Sequence, residues 1–240
     1  MNASAVVTGG FVLLPLLVSV GFVLAYGWAG RRLGEDAGAR RASRNAPRRG
    51  RLRVAADHRD HRGHRRAAAI RCDTPPFAGL ALAVGILGVA VPLSPVGTLL
   101  VRGLPLWFLV GFQVFRFPLE LLMHRAYVEG VMPVQMSYSG RNYDIVTGIT
   151  AGVLGLWLAR RPVQRWVVMS WNILGFVLLA NIVTIAIVST PVFGWFGRER
   201  LNTFVTYPPF VWLPAILVTA ALMGHILVWR WLSETARILP

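Results

Sequence analysis

One stretch of the sequence brings polar and ionisable residues together at helical spacing. Five of them follow one another at intervals of 3, 4, 4 and 3 residues, namely Gln113, Arg116, Glu120, His124 and Tyr127. At about 100° per residue, this spacing keeps all five on one face of a helix. The residues between them are mainly Phe, Leu and Trp, so we expect the polar face to point into a helix bundle.

This polar stripe, residues 113 to 127, has two interpretations. In the functional one, Arg116, Glu120 and His124 form a charged chain and Glu120 shuttles a proton, because ionisable side chains inside a membrane usually serve a function. In the structural one, Arg116 pairs with Glu120 at i,i+4 and locks helices together, while His124 and Tyr127 reach the membrane surface. The sequence leaves both open, and we take the functional one as the working hypothesis.

A second polar group lies where the chain enters the next apolar stretch, at Arg141, Asn142 and Asp144. Helix capping explains Asn142 and Asp144 without any further role. However, the apolar stretch 145–158 covers only about 21 Å at about 1.5 Å per residue, so a complete span must draw Asp144 below the headgroups. Glu120, His124 and Asp144 then share one half of the membrane, which predicts a polar pocket facing the cytoplasm.

An amide on a later helix, Asn181, is a candidate ligand group for this pocket, although such amides commonly hydrogen bond between helices. The same helix carries Asn172 on its opposite side, where a ligand role is less expected. The predicted pocket therefore consists of Gln113, Arg116, Glu120, His124, Arg141, Asn142, Asp144 and Asn181.

The sequence predicts no cofactor and no metal site. Two histidines inside a membrane can ligate a haem iron, but six alternating spans place His124 and His225 at opposite membrane faces. A run of three evenly spaced histidines could hold a metal, but it lacks cysteines and lies among arginines that repel cations; these are His58, His61 and His64.

Cysteine usage and motifs exclude several protein classes. The single cysteine, Cys72, cannot form an intramolecular disulfide. No HExxH, GxSxG, Walker or haem-attachment motif is present, which removes the commoner motif-bearing enzymes and leaves the question of an enzyme open.

Composition then indicates which elements carry these residues. The 240 residues are 55% hydrophobic and only 15% charged, whereas soluble domains have roughly 45–50% apolar and about 25% charged residues. We therefore predict an all-α, polytopic membrane helix bundle that forms one domain over residues 1–240, with a kink at Pro118. Its six segments are 7–29, 77–93, 104–124, 143–158, 166–189 and 204–232.

The positive charge is concentrated in one region. The formal net charge is +15, all 25 basic residues are arginines, and 14 of them lie between Arg31 and Arg71. The charge thus belongs to a loop, residues 30–73, and not to a folded face that would bind nucleic acid. We predict that this loop is disordered, cytoplasmic and attracted to anionic lipid headgroups.

Six alternating spans with the N-terminus outside put four of the remaining arginines inside and six outside, which contradicts the positive-inside rule. A re-entrant fourth segment would reverse this imbalance. We nevertheless favour six spans, because the arginine block next to the first helix usually dominates orientation and because Gly148, Gly152 and Gly155 suit a packed fourth helix.

Two stretches resemble a family of small bacterial multi-pass membrane proteins of no known activity. They are Met132 to Met136 with Gly140 to Ile145, and Trp171 to Gly175 with Asn181 to Thr184. The resemblance covers roughly residues 100–240. It implies a helical membrane fold in the bacterial inner, cytoplasmic membrane and leaves the activity open.

Three functions fit these observations. The leading hypothesis is proton-coupled or small-solute transport through the polar pocket. The alternatives are a membrane enzyme that acts on a lipid or isoprenoid, with Glu120 or Asp144 as general acid or base, and a non-catalytic subunit or assembly factor whose polar stripe meets a partner membrane protein.

Overall fold

The structure, a computed structural model, describes residues 3–44 and 76–236. Every regular element in these two ranges is helical. A 3-10 stretch, Phe112–Phe115, ends directly before Arg116, and a π-helical stretch, Leu213–Val218, ends directly before Thr219. The principal helices are α1 Ala5–Arg44, α2 Pro76–Leu93, α3 Pro95–Gly103, α4 Leu106–Gly111, α5 Arg116–Val128, α6 Ile145–Arg160, α7 Arg165–Val188 and α8 Thr219–Ala236.

Four helical stretches are long and apolar enough to cross a membrane, namely Ala5–Gly34, Leu106–Val128, Arg165–Val188 and Leu213–Glu234. A fifth span results if Leu82–Leu93 and Pro95–Gly103, which are bent by 57°, count as one. Helix α6 is apolar but has only 16 residues. The all-helical fold with several potential spans is therefore confirmed, whereas the count of six is not.

Proline explains the bend between α2 and α3. Pro92 and Pro95 both lack a backbone N–H and cannot continue a regular helix. Ser94 instead begins α3 as its N-cap, with its hydroxyl accepting a hydrogen bond from the Val96 N–H at 3.1 Å. Gly97 is required at this corner, because a Cβ there would lie 1.8 Å from the Pro92 carbonyl oxygen.

Two predicted boundaries differ from the structure. Helix α1 continues to Arg44, so residues 30–44 are helical where a disordered loop was predicted; their Ala, Arg, Leu and Glu content favours helix. The rest of that loop, with its three histidines, lies outside the described residues. The last long helical stretch begins at Leu213 and not at residue 204, because Pro208 and Pro209 interrupt the helix before it.

The core of the bundle consists of two apolar clusters. One includes Val7, Phe11, Met123 and Phe210 and lies toward the start of α1, which we call the amino-terminal end. The other lies toward the opposite end and includes Ala29, Leu100, Leu154, Val168 and Leu232. We call this opposite end the arginine end, because Arg31, Arg32, Arg102, Arg160, Arg161, Arg165 and Arg230 lie there.

Contacts at the two ends correct the predicted topology. The backbone N–H of Ser4 donates to the carboxylate of Glu129 at 2.8 Å, so α1 begins at the end where α5 stops. Gly103 packs against Ala29, so α4 begins where the apolar part of α1 ends. The six-span prediction had instead placed the start of the chain and the end of α5 on opposite sides.

Candidate functional site

A layer of buried polar side chains separates the two apolar clusters. On each of the long helices that form it, the polar residue lies where the helix passes from one cluster to the other. On α8, for example, Ala221 belongs to one cluster and Leu227 to the other, with His225 between them. The residues of this polar layer are Gln113, Arg116, Asp144, Thr147, Asn172 and His225.

The backbone around Arg116 brings the layer together. The distortion expected near Pro118 occurs as the 3-10 stretch Phe112–Phe115, immediately before Arg116 begins α5. Helix α6 then packs directly on this backbone, because a Cβ at Gly148 would lie only 2.3 Å from the Phe117 nitrogen. This close approach allows Asp144, at the start of α6, to reach Arg116 in the interior.

Each of the three nitrogens of the Arg116 guanidinium has a hydrogen-bond partner, although the side chain is buried. Its Nε donates to Asp144 Oδ2 at 2.6 Å, and its Nη2 donates to Asp144 Oδ1. Its Nη1 donates to His225 Nε2 at 2.7 Å. The structural interpretation of the stripe paired Arg116 with Glu120 on the same helix, whereas the structure pairs it with Asp144, whose two oxygens match the planar guanidinium.

The hydrogen bonds of His225 define its tautomer. A guanidinium can only donate, so Nε2 must accept and the ring proton must be on Nδ1. That N–H lies 2.8 Å from Asn172 Oδ1, and the Asn172 amide nitrogen donates to the His225 carbonyl at 3.2 Å. His225 therefore lies in the polar layer as a neutral imidazole. The prediction that placed it at the far end of the bundle is wrong.

Glu120 lies beside the layer with a different set of contacts. Its side chain is 1% exposed, and its two oxygens lie 2.9 and 2.8 Å from the same atom, Asn142 Nδ2. That nitrogen also donates to the Met136 carbonyl at 3.0 Å. An amide nitrogen has two hydrogens. With one donated to the Met136 carbonyl, one remains for the two carboxyl oxygens of Glu120. No ion pair joins Glu120 to an arginine within the described ranges.

A small cavity connects the two carboxyl groups. Arg116, Glu120 and Asp144 line it together with apolar residues of α5, α7 and the π-helical stretch before α8, and its volume is about 30 Å³. One buried water needs roughly 10–15 Å³ of such space and two to four polar partners. The cavity therefore has room for about two water molecules, and Glu120 is one of the residues that line it.

The remaining predicted pocket residues lie apart from this cluster. Gln113 is buried and donates to the Ala221 carbonyl at 2.9 Å. His124 is partly exposed, with Nδ1 at 3.0 Å from the hydroxyl of Ser137.

Arg141 is exposed and stacks on Phe196, and its carbonyl accepts from Asn181 at 2.9 Å. Asn181 thus ties a loop to α7, as expected of an amide between helices. The structure unites Arg116, Glu120, Asn142 and Asp144 and separates them from His124, Arg141 and Asn181.

Sequence reasoning missed His225 and Asn172 as members of the site. Their contacts join residues more than 50 positions apart, which no local spacing reveals. One signal is visible in retrospect: Gly175 lies one turn after Asn172, and a Cβ at Gly175 would be 2.5 Å from the His225 ring. The absence of a side chain at Gly175 allows α7 to pack closely against α8 at the buried His225.

Comparisons with known proteins do not assign the chain to a family. No protein-family model matches it, and neither does any protein of curated function or any solved structure.

Proposed function

We propose that this chain is a multi-pass membrane protein that performs a proton-coupled transport step, in which Glu120 binds and releases the proton. The single observation that carries the proposal is that Glu120 is a buried carboxyl group without a cationic partner, beside a water-sized cavity. The size of the cavity favours a proton over a larger solute as the transported species.

Charge balance supports Glu120 as the proton carrier. Arg116 and Asp144 neutralise each other through two hydrogen bonds, and His225 is neutral. With a proton on Glu120 the cluster has no net charge. Without it, the cluster contains a buried negative charge that has no ion pair of its own, which costs several kcal/mol in a protein interior.

The same geometry couples the proton to the helices. Glu120 and Arg116 are one helical turn apart on α5 and line the same cavity. When Glu120 releases its proton, its carboxylate attracts the guanidinium that now holds Asp144 of α6 and His225 of α8. Proton release therefore weakens the contacts that join three helices, which provides a physical link between protonation and helix movement.

The distribution of arginines supports an orientation. Within residues 3–34 and 76–236, and leaving out the buried Arg116, seven arginines lie at the arginine end, as given above, and four lie at the amino-terminal end: Arg125, Arg141, Arg198 and Arg200. The positive-inside rule then favours a cytoplasmic arginine end and an N-terminus outside. The side of the bundle nearest His124 then faces outward and not toward the cytoplasm.

Proton flux into liposomes tests the proposal. The full chain is reconstituted with a pH-sensitive dye inside, and proton entry is followed after a membrane potential is imposed. We expect entry above that of protein-free liposomes, its loss in Glu120→Gln, and its retention in Glu199→Gln, since Glu199 is an exposed carboxylate far from the layer. Wild-type entry equal to protein-free liposomes, or entry that survives Glu120→Gln, would refute proton transfer through Glu120.

One observation favours a second candidate, a membrane enzyme that acts on a lipid or isoprenoid chain. A groove of about 300 Å³ lies between α7 and α8, with apolar walls that include Phe176 and Trp229 and with His225 at its base. Its walls are exposed on the outside of the bundle, where acyl chains would lie. A lipid that accumulates in membranes with His225→Leu protein, but not with wild-type protein, would favour this candidate.

A further inference from the structure

Two buried amides near the end of α7 each have an oxygen without a donor. Gln135 and Asn202 are 3% and 2% exposed, and within the described part of the chain neither Gln135 Oε1 nor Asn202 Oδ1 accepts a hydrogen bond. A buried acceptor without a donor costs about 1–3 kcal/mol. Each of these oxygens therefore has an acceptor site that no described residue fills.

The orientation of each amide is fixed by its other contacts. Gln135 Nε2 donates to the Arg200 carbonyl at 2.8 Å and to Ser189 Oγ at 3.0 Å. Reversing this amide would place its oxygen against the Arg200 carbonyl. Asn202 Nδ2 donates to the Ala186 carbonyl at 3.2 Å, which excludes reversal for the same reason. Both free oxygens are therefore genuine acceptors.

Gln135 and Asn202 both contact Ser189 at the end of α7. Gln135 contacts the Ser189 hydroxyl, while the backbone N–H of Asn202 donates to the Ser189 carbonyl at 2.7 Å. Ser189 directly follows the last residue of α7, where the helix dipole and the final carbonyl groups carry partial negative charge. Amide oxygens, a hydroxyl and a helix C-terminus form an environment that attracts a cation.

The type and charge of the ligand atoms indicate which class of cation fits this site. All the available ligands are neutral oxygens, which suit hard ions and not the transition metals that prefer histidine and cysteine. No group of three or more His, Cys, Asp or Glu residues that could hold a metal exists within residues 3–44 and 76–236. With no carboxylate to offset a double charge, the site suits a monovalent ion. The Arg200 guanidinium is half exposed and lies within 3.9 Å of Glu199, so its charge is partly screened.

We propose that Gln135 Oε1, Asn202 Oδ1 and Ser189 Oγ bind a monovalent alkali cation at the amino-terminal end of the bundle. The site lies one residue from the surface, since Thr203 is exposed next to Asn202. It shares no residue with the Glu120 cluster. The two proposals can therefore fail independently.

Thermal unfolding of the full chain in mild detergent tests this site. Melting curves are recorded in NaCl, KCl and choline chloride at equal ionic strength, because choline is too large to enter. We expect a saturable rise of the midpoint with Na⁺ or K⁺ that choline does not produce. Equal midpoints in the three salts would overturn the proposal and leave water as the donor to both oxygens.

A matched pair of variants locates the effect. Ser189→Ala removes one ligand but leaves the Gln135 bond to the Arg200 carbonyl, and we expect its apparent cation affinity to fall at least tenfold. Thr203→Ala removes an exposed hydroxyl next to the site, and its cation response should match the wild type. An unchanged response in Ser189→Ala would overturn the assignment.

If Ser189→Ala does not fold, a measurement on the wild type decides the question. The ²³Na NMR signal should broaden in the presence of the protein beyond a detergent blank, and added K⁺ should reverse the broadening in a saturable way. A signal equal to that of the blank would overturn the proposal.

Discussion

Removing the charge of Asp144 should lower the free energy of unfolding much more than removing the ionisable group of Glu120. Asp144→Asn leaves the Arg116 guanidinium buried with an amide in place of a two-bond carboxylate. Removing one partner of a buried ion pair costs about 3–5 kcal/mol. Glu120→Gln should cost no more than about 1.5 kcal/mol, because a glutamine oxygen still accepts from Asn142 and no counter-charge is lost.

These values can be measured by reversible unfolding in mixed micelles with increasing denaturing detergent, followed by tryptophan fluorescence and circular dichroism. The exposed-site variant Glu199→Gln controls for the loss of a carboxylate as such. In Asp144→Asn, Glu120 can ionise and replace the lost counter-charge. The double variant Glu120→Gln with Asp144→Asn should therefore lose about 0.5–3 kcal/mol more free energy of unfolding than the two single losses added together. A loss for Glu120→Gln that equals or exceeds the loss for Asp144→Asn would refute the assigned charges.

Three further predictions concern packing, tautomer and pH. Gly148→Ala should reduce the free energy of unfolding by about 1–3 kcal/mol, because its Cβ meets the α5 backbone at 2.3 Å; Gly152→Ala, whose nearest contact is 3.4 Å, should be tolerated, and equal losses would contradict this contact. Nitrogen-15 NMR of labelled histidine should place the His225 proton on Nδ1, and a proton on Nε2 would refute the contact. His225→Leu should destabilise by about 1–3 kcal/mol, because Nη1 of Arg116 and Oδ1 of Asn172 lose their ring partner. Outside the apolar helices, the backbone N–H and hydroxyl of Ser4, followed by Arg125, lower the pKa of Glu129 to about 2. The contribution of Glu129 to stability is thus present above its ordinary pKa and is lost as the pH falls through about 2. Glu129→Gln should therefore flatten the acid part of a curve of unfolding free energy against pH. An unchanged curve would contradict this role.

The helical class and the importance of one helix face could be predicted from the sequence. Apolar stretches of sufficient length and a polar stripe at 3.6-residue spacing depend only on local order along the chain. In the structure Gln113, Arg116 and Glu120 of this stripe are buried, as a stripe that faces the bundle interior requires. The short helix α6 also drew attention to Asp144, since it begins inside the bundle and not at its surface.

The partners within the site could not be predicted, for physical reasons. Arg116 and Glu120 are ideally spaced for an i,i+4 pair, but a glycine-mediated approach of α6 supplies a better, two-bond acceptor. His225 depends on how α7 and α8 pack, which local pattern does not specify. The count of six spans is likewise not confirmed, because the bend between α2 and α3 and the short length of α6 depend on tertiary packing that local pattern does not specify.

Infrared spectroscopy of Glu120 tests the central claim most directly. The full chain in lipid is exchanged from H₂O to D₂O, and the carbonyl stretch of protonated carboxylic acids is compared between wild type, Glu120→Gln and Glu199→Gln. We predict a protonated carboxyl band in the wild type that shifts in D₂O, persists in Glu199→Gln and is absent in Glu120→Gln. A wild-type spectrum without such a band, or a band that does not exchange with D₂O, would contradict Glu120 as a proton carrier in contact with water.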